Sequence, residues 1–225
     1  MSIRVKVCGL TDEAAVEAAV AGGAAWFGFV FYPPSPRSIT ATRAAELAAG
    51  VPDDRQTVGV VVDPDDRDLA GVLAFADLDL LQLHGHESPE RVAEIRAQTH
   101  VGVIKALRIS ERADLARVRA YAEVADHLLF DAKPPRGAAL PGGNGLPFDW
   151  RLLEGLEIGR PWLLSGGLSA DNIGLAIRRT GARAVDVSTG VEAAPGVKDP
   201  ARIRQFLATV AGLPDPRGEI EVPVR

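Results

Sequence analysis

The sequence predicts an α/β fold, a single (β/α)8 barrel of the TIM type, and three observations support this prediction. Eight short apolar runs alternate along the chain with longer segments rich in Ala, Glu and Arg. Strands that alternate with helices form βαβ units, and such units build a parallel sheet. Eight units within 225 residues favour a closed barrel over an open, doubly wound sheet.

The predicted strands are the apolar runs, and the predicted helices lie between them. The strands cover residues 3–8, 25–31, 57–62, 79–84, 101–107, 127–131, 161–165 and 182–188. The helices cover residues 12–22, 40–50, 65–75, 88–98, 111–121, 149–156, 169–179 and 199–210. Two predicted segments have no place in this pattern: a long Gly- and Pro-rich loop that is functional or mobile, residues 132–147, and an appended C-terminal tail that is a candidate for disorder, residues 213–225. The barrel domain therefore covers residues 1–212.

The composition excludes several classes of protein. The net charge is −5 and the basic residues form no run, so nucleic acid is a poor partner. The single cysteine, Cys8, allows no intrachain disulfide. The N-terminus carries charges where a signal peptide needs an apolar run, and no apolar stretch is long enough to span a bilayer. We therefore expect a cytoplasmic protein that binds neither nucleic acid nor membranes.

Polar side chains of several strands are predicted to converge inside the barrel. Side chains alternate along a strand, and the apolar face must pack against the helices. On the first strand the valines form that face, so Arg4, Lys6 and Cys8 point into the barrel. The same alternation turns further polar residues inward, namely Gln82, His84, Asp131, Asp186 and Ser188. Barrel enzymes place their chemistry at the C-terminal ends of the strands, although any one of these residues can also be an ordinary hydrogen-bonded polar group.

Two glycine-bearing turns follow the last two predicted strands. One contains Gly166 and Gly167, and the other contains Ser188, Thr189 and Gly190. Glycines allow the backbone to approach an oxyanion, and a helix N-terminus offers free N–H groups. Loops after strands seven and eight form the usual phosphate site of this fold. The two turns together therefore predict a phosphate site, whereas one such turn alone would indicate only a helix entry.

Cys8 and Asp131 are the candidate acid–base pair. Each ends a predicted strand at the same end of the barrel. A thiolate accepts a proton, the cation of Lys6 would favour the thiolate, and a carboxyl group across the barrel donates a proton. The alternatives are structural: a small core cysteine, and an aspartate that caps a helix or pairs with Lys133.

Arg37 is the candidate ligand for a carboxylate. It lies in a proline-rich loop after the second strand, and a guanidinium binds a carboxylate through two parallel hydrogen bonds. A solvated loop arginine is the alternative. His84 and His86 suggest a metal site, but the sequence offers no third ligand, so a metal site is not predicted.

A series of motifs spans nearly the whole chain, from residue 3 to about residue 207. In chain order they are VKVCGLT at 5–11, GFVF at 28–31 with PR at 36–37, LQLHG at 81–85, FDAK at 130–133, GGNG at 142–145 with FDW at 148–150, SGGL at 165–168 and VDVSTGVE at 185–192. Together they resemble the phosphoribosylanthranilate isomerase family. Asn144 departs from the Ser or Thr of many relatives, which affects only the expected contacts of the long loop.

This resemblance implies a barrel enzyme that uses neither metal nor cofactor. The implied reaction is the Amadori rearrangement of N-(5-phosphoribosyl)anthranilate in tryptophan biosynthesis, with Cys8 as general base and Asp131 as general acid. Arg37 would bind the anthranilate carboxylate, and the two glycine turns would bind the ribose phosphate. We expect this small phosphosugar also to contact three inward residues of the rim, namely Gln82, His84 and Asp186.

Several alternatives remain open at this point. The sugar isomerase of histidine biosynthesis has the same fold and rearrangement, but its family uses two aspartates and shows two phosphate-binding halves. A dual-substrate isomerase, the barrel lyase that forms indole-glycerol phosphate, and a non-catalytic phosphate-binding barrel are the others. The lyase needs further catalytic Lys and Glu residues, which the sequence does not place. The chain is expected to be a monomer or a homodimer.

Overall fold

The computed structural model describes residues 3–74, 76–133 and 148–215 and contains a closed β-barrel. Parallel strands β1 to β8 follow each other around the barrel in chain order, and β8 pairs with β1 to close it. They are β1 Arg4–Cys8, β2 Trp26–Val30, β3 Gln56–Val61, β4 Leu80–Leu83, β5 Gly102–Ile109, β6 His127–Ala132, β7 Trp162–Leu164 and β8 Ala184–Val187. The predicted (β/α)8 barrel is confirmed, and each predicted strand end lies within two residues of the observed one.

Helices cover the outside of the barrel between the strands. In the described ranges the α-helices are α1 Glu13–Ala21, α2 Ala41–Ala48, α3 Asp66–Leu73, α4 Pro89–Thr99, α5 Val118–Val124, α6 Ile173–Thr180 and α7 Pro200–Ala211. Most begin where a polar side chain caps the first turn. The side chain of Ser88, the residue before α4, accepts a hydrogen bond from the N–H of Arg91. The next residue is Pro89, and its lack of an N–H costs nothing there, because an N–H in the first turn has no intrahelical acceptor.

Two helical segments differ from the prediction. The helix predicted over 149–156 is a short 3₁₀ helix, Trp150–Leu153, because Gly155 has a φ of +67° and this left-handed conformation ends the turn. The helix predicted over 111–121 begins as the 3₁₀ helix Arg112–Arg117 and becomes α-helical only in α5.

A short antiparallel hairpin, which the sequence pattern does not predict, follows β8. The 3₁₀ helix Thr189–Val191 leads into β9, Glu192–Ala194, and β9 pairs with β10, Val197–Lys198. Gly196 turns the chain between them with a φ of +80°. Although the hairpin is short, the first residue of β9 and the last residue of β10 are both buried and charged.

The interior of the barrel changes character along its axis. Arg4, at the N-terminal end of β1, lies over the indole ring of Trp26, with its guanidinium carbon 3.8 Å from the ring centroid. Apolar side chains fill the adjacent part of the interior in one cluster of Ala25, Trp26, Val58, Leu80, Ile104, Ala106, Leu129, Leu163 and Ala184. Polar inward residues therefore occupy the remaining, C-terminal part of the barrel.

Two predicted segments fall largely outside the described residues. The first is the loop over 132–147, which includes Asn144; its residues 134–147 are not described. The second is the C-terminal tail, whose residues 216–225 are not described. Helix α7 ends at Ala211, and Leu213 still packs against the hydrophobic core. The division into a barrel and a tail stays a prediction.

A buried ion pair joins β5 of the barrel to the loop after β4. Lys105 on β5 is 2% exposed, and its Nζ lies 2.6 Å from Oε2 of Glu87. The ammonium also donates to the carbonyl oxygens of Leu83 and Gly85, and the carboxylate accepts the N–H groups of Gly85 and Asp63. These hydrogen bonds offset the cost of removing two charges from water and fix the loop after β4 on the barrel.

Breaking this buried pair should destabilise the protein far more than breaking an exposed pair. In Lys105→Met the carboxylate of Glu87 keeps a buried charge without its cation, which costs about 3–5 kcal/mol of the free energy of unfolding. The matched variant Arg43→Met breaks the exposed pair between Arg43 and Glu13 and should barely move the unfolding midpoint. Urea unfolding followed by circular dichroism measures both, and equally small changes would show that the buried pair does not hold the fold.

Candidate active site

A buried ion pair forms where the barrel closes. The register of β1 with β8 sets Lys6 opposite Asp186, and Lys6 Nζ lies 2.9 Å from Asp186 Oδ1. Ser165, just after β7, donates to the other oxygen of the same carboxylate at 3.0 Å. Burial by itself would lower the pKa of Lys6, but the negative charges of Asp186 and Cys8 outweigh burial and raise that pKa above its ordinary value.

Cys8 ends β1 beside this pair and is buried. A Cβ atom built on Gly28 of β2 would lie 3.0 Å from both Cys8 Sγ and Lys6 Nζ, so a glycine leaves space there for the thiol and the ammonium. Burial raises the pKa of the Cys8 thiol, Lys6 lowers it, and Asp186 raises it. The net direction is upward. Lys6 favours the thiolate, as the sequence suggested, but burial and Asp186 outweigh the cation.

Asp131 lies near the end of β6, separated from β1 by β7 and β8, and is 4% exposed. Gln82 Nε2 donates to His84 Nδ1 at 2.8 Å, and His84 Nε2 lies 3.1 Å from Asp131 Oδ2. Since Nδ1 accepts from Gln82, the imidazole N–H that faces Asp131 is the one on Nε2, and it donates a hydrogen bond to that carboxyl group. Asp131 Oδ1 accepts from the N–H of Ala132. Two residues predicted to touch substrate thus also form a hydrogen-bonded chain to the candidate acid.

The two glycine turns pack against each other at the same end of the barrel. A Cβ atom at Gly190 would overlap the carbonyl oxygen of Leu168, so this contact requires glycine. Gly166 and Gly167 have φ angles of +88° and +63°, which other residues rarely adopt. The N–H groups of these two glycines donate to no described residue. The turns therefore present free backbone donors, as an oxyanion site requires.

Arg37 is buried, so the alternative of a solvated loop arginine is wrong. Its Nε and Nη2 donate to the two carboxylate oxygens of Glu192 at 2.7 and 2.8 Å. Lys198 Nζ donates to the same carboxylate at 2.7 Å, and the hydroxyl of Ser188 donates to the carbonyl oxygen of Cys8 at 3.1 Å. Burial by itself would raise the pKa of Glu192, but Arg37 and Lys198 outweigh it and lower that pKa.

Sequence reasoning gave no role to Ser165, Glu192 or Lys198. Ser165 begins the first glycine turn and Glu192 ends the last motif, so both stood beside predicted site residues. Lys198 follows the motif by six residues, and only the unpredicted hairpin returns it to the rim. No sequence signal marked it.

The rim therefore holds a thiol and a carboxyl group on separate strands, together with backbone donors suited to an anion. Among the residues that the structure describes, no three His, Cys, Asp or Glu side chains group as metal ligands. Within the same ranges, no helix combines the length and apolarity needed to cross a membrane. The fold and the position of these groups define the class: a (β/α)8-barrel protein with a candidate acid–base pair and a candidate anion site at the C-terminal rim.

Comparisons with known proteins identify one family within this class. The sequence model of N-(5'phosphoribosyl)anthranilate (PRA) isomerase matches residues 5–209. The N-(5'-phosphoribosyl)anthranilate isomerase of Paramagnetospirillum magneticum is 54% identical over 94% of this chain and 99% of its own length. That of Paracoccus denitrificans is 57% identical over 92% of this chain and 97% of its own length. The chain belongs to the N-(5'-phosphoribosyl)anthranilate isomerase family.

Solved structures of this family share the barrel. Phosphoribosyl anthranilate isomerase from Thermotoga maritima has a TM-score of 0.84 and 36% identity, covering 94% of this chain and 100% of that chain. A second structure of such an isomerase, in complex with reduced 1-(o-carboxyphenylamino)-1-deoxyribulose 5-phosphate, has a TM-score of 0.80 and 35% identity, with the same coverage of both chains.

The charges around Cys8 should move its pKa in opposite directions when they are removed. Asp186→Asn removes a negative charge that raises the thiol pKa, so that pKa should fall. Lys6→Met removes a positive charge that lowers it, so that pKa should rise. The chain has a single cysteine, so ultraviolet thiolate absorbance, corrected with Cys8→Ser for tyrosine, reports Cys8 alone. Shifts of the same sign in both variants would contradict this electrostatic account.

Proposed function

We propose that this protein catalyses the Amadori rearrangement of N-(5-phosphoribosyl)anthranilate to 1-(2-carboxyphenylamino)-1-deoxyribulose 5-phosphate, a step of tryptophan biosynthesis. The observation that carries the proposal is the placement of Cys8 and Asp131 at the C-terminal ends of β1 and β6, in a barrel of this isomerase family. The ligand of a related structure bears both a carboxyphenyl group and a phosphate, which supports a phosphosugar substrate with two anionic ends.

Asp131 acts as the general acid. It donates a proton to the furanose ring oxygen of the substrate, the bond from C1 to that oxygen breaks, and the anilino nitrogen forms a Schiff base with C1. In the resting arrangement His84 donates a hydrogen bond from Nε2 to Asp131 and so orients the carboxyl group, which must take up a proton before it acts as the acid. Gln82 fixes the orientation of that imidazole.

Cys8 acts as the general base. Its thiolate removes the proton from C2 of the ribose, and the electron pair of that C–H bond moves towards the Schiff base to give an enolamine. Tautomerisation of the enolamine yields the ketone at C2. Because burial raises the pKa of Cys8, the thiol predominates at neutral pH, and the rate should rise as pH increases through this pKa.

Two anion sites hold the substrate across these groups. The backbone donors of the two glycine turns bind the ribose phosphate. Arg37 keeps an Nη1 group that donates to no described residue, and this group binds the anthranilate carboxylate. Substrate fixed at both ends presents C1 and C2 between the acid and the base, which reduces the entropic cost of reaching the transition state.

The other candidates have less support. The histidine-pathway isomerase family uses two aspartates, whereas this chain ends β1 with Cys8. A non-catalytic phosphate-binding barrel would need neither Cys8 nor the hydrogen-bonded chain at Asp131. The cytoplasmic location and a monomeric or homodimeric state stay predictions of the sequence.

Replacing the acid should slow turnover without weakening binding. Asp131→Asn keeps the shape and a hydrogen-bond donor but cannot deliver a proton, so kcat should fall on the order of 10²–10⁴-fold while KM changes little. Cys8→Ala should lose a similar factor. The decay of substrate fluorescence measures the rate.

Asp126→Asn is the matched control, because Asp126 lies just before the start of β6, at the end of the barrel opposite Asp131, where it pairs with Arg96. Its kcat should match that of the unaltered protein. Turnover by Asp131→Asn at the rate of this control would remove Asp131 from the mechanism and leave His84 as the next acid to examine.

The phosphate site can be tested by blocking its backbone donors. In Gly167→Val a branched side chain must adopt a φ near +63° beside the anion, so KM and the inhibition constant of ribose 5-phosphate should rise roughly ten- to a hundredfold. Gly181→Val is the control, since Gly181 has a φ of +67° at the end of α6 with open space around it. If both variants weaken the binding of ribose 5-phosphate equally, general backbone strain and not the loss of the phosphate site explains the effect.

A further inference from the structure

Glu192 is the point at which three buried charged side chains meet. Its carboxylate accepts from Nε and Nη2 of Arg37 and from Nζ of Lys198, and all three distances are 2.7 or 2.8 Å. All three residues are at most 6% exposed. Two cations thus share one carboxylate, and the cluster keeps one positive charge in excess.

The unused hydrogen-bond donors of this cluster lie on Arg37. Lys198 uses three N–H groups, one each for Glu192, the carbonyl oxygen of Ser188 and the hydroxyl of Ser188. An ammonium has three donors, so Lys198 is saturated. Arg37 has five N–H donors in a planar fork, and within the described residues its Nη1 has no acceptor. An anion that reaches this cluster therefore finds its free side-chain donors on Arg37.

Packing allows the Arg37 side chain little freedom. A Cβ atom at Gly9, the residue after Cys8, would lie 2.6 Å from Arg37 Cδ, so the arginine stem lies directly over that glycine. On the other side the hairpin turn at Gly196 lies so close to the carbonyl oxygen of Pro36 that a side chain there would overlap it. The hairpin that supplies Glu192 is thus seated on the loop that supplies Arg37.

We propose that Glu192 is a positioning residue that orients Arg37 for the carboxylate of the substrate. It holds one edge of the guanidinium by two parallel hydrogen bonds and leaves the other edge for the aromatic carboxylate. Holding the fork before substrate arrives removes the entropic cost of ordering a long side chain at the moment of binding. This inference rests on the proposed function, because it assumes an aromatic carboxylate as the ligand.

A role of Glu192 in neutralising charge and a role in positioning Arg37 predict opposite effects of Glu192→Gln on anion binding, which makes the proposal testable. If Glu192 only neutralised the cluster, Glu192→Gln would leave two unbalanced cations and bind anions more tightly. If Glu192 positions Arg37, the same variant loses the paired hydrogen bonds, and the carboxylate ligand binds more weakly even though the positive charge has grown.

The experiment compares two probes in titration calorimetry, the reduced carboxyphenylamino product analogue and ribose 5-phosphate, with steady-state kinetics alongside. In Glu192→Gln the dissociation constant of the analogue and KM should rise roughly tenfold to a hundredfold, while kcat and the affinity for ribose 5-phosphate stay within about threefold. Glu192→Asp, which keeps the charge and one bond, should be intermediate and serves if the first variant does not fold. Glu13→Gln, which breaks an exposed bidentate pair with Arg43, is the control and should match the unaltered protein.

Tighter or unchanged binding of the analogue in folded Glu192→Gln and Glu192→Asp would overturn the proposal. An equal loss for both probes would also overturn it, because the pair would then hold the rim as a whole. These outcomes are distinct from failure of the proposed function. In that case the unaltered protein would neither turn over the substrate nor bind the analogue more tightly than ribose 5-phosphate, and Arg37 would have no carboxylate to receive.

Discussion

The constraint on which the rest of the structure depends is the pairing of charge inside a closed barrel. Apolar side chains fill the N-terminal part of the interior, so the polar inward residues of the site lie towards the C-terminal rim. Water has little access there, and a buried charge without a partner is costly. The barrel meets this constraint where β1 and β8 join, because their register sets Lys6 against Asp186.

This pairing also sets the chemistry of the rim. Cys8 lies beside one cation and one anion whose effects on its pKa oppose each other, so burial decides the direction and the resting group is a thiol. Asp131 is oriented by two hydrogen-bond donors, the imidazole of His84 and the N–H of Ala132. Both candidate catalytic groups are therefore held by neighbours that are themselves hydrogen-bonded, which is what general acid–base catalysis needs from a scaffold.

Local sequence patterns predicted the fold well because each barrel strand is marked by the apolar and polar pattern of its own residues. Alternation of apolar and polar side chains placed Lys6, Gln82 and Asp186 in the interior before any contact was known. The partner of Arg37 was not predictable, since Glu192 is 155 positions away in the sequence. Glu192 reaches Arg37 through a hairpin whose turn has no clear sequence motif. The net direction of the Cys8 pKa was not predictable, because a sequence shows the nearby Lys6, which lowers that pKa, but not the depth of burial, which outweighs it.

The most direct test is turnover by the unaltered protein of two aminoaldose substrates, N-(5-phosphoribosyl)anthranilate and its counterpart from histidine biosynthesis. If Cys8 is the base and Arg37 binds the aromatic carboxylate, the protein should consume the anthranilate compound, and the fluorescence of that compound should decrease. The histidine-pathway compound, which has no aromatic carboxylate for Arg37, should stay unchanged. Failure to consume the anthranilate compound, or equal consumption of both, would contradict the proposed roles of Cys8, Asp131 and Arg37.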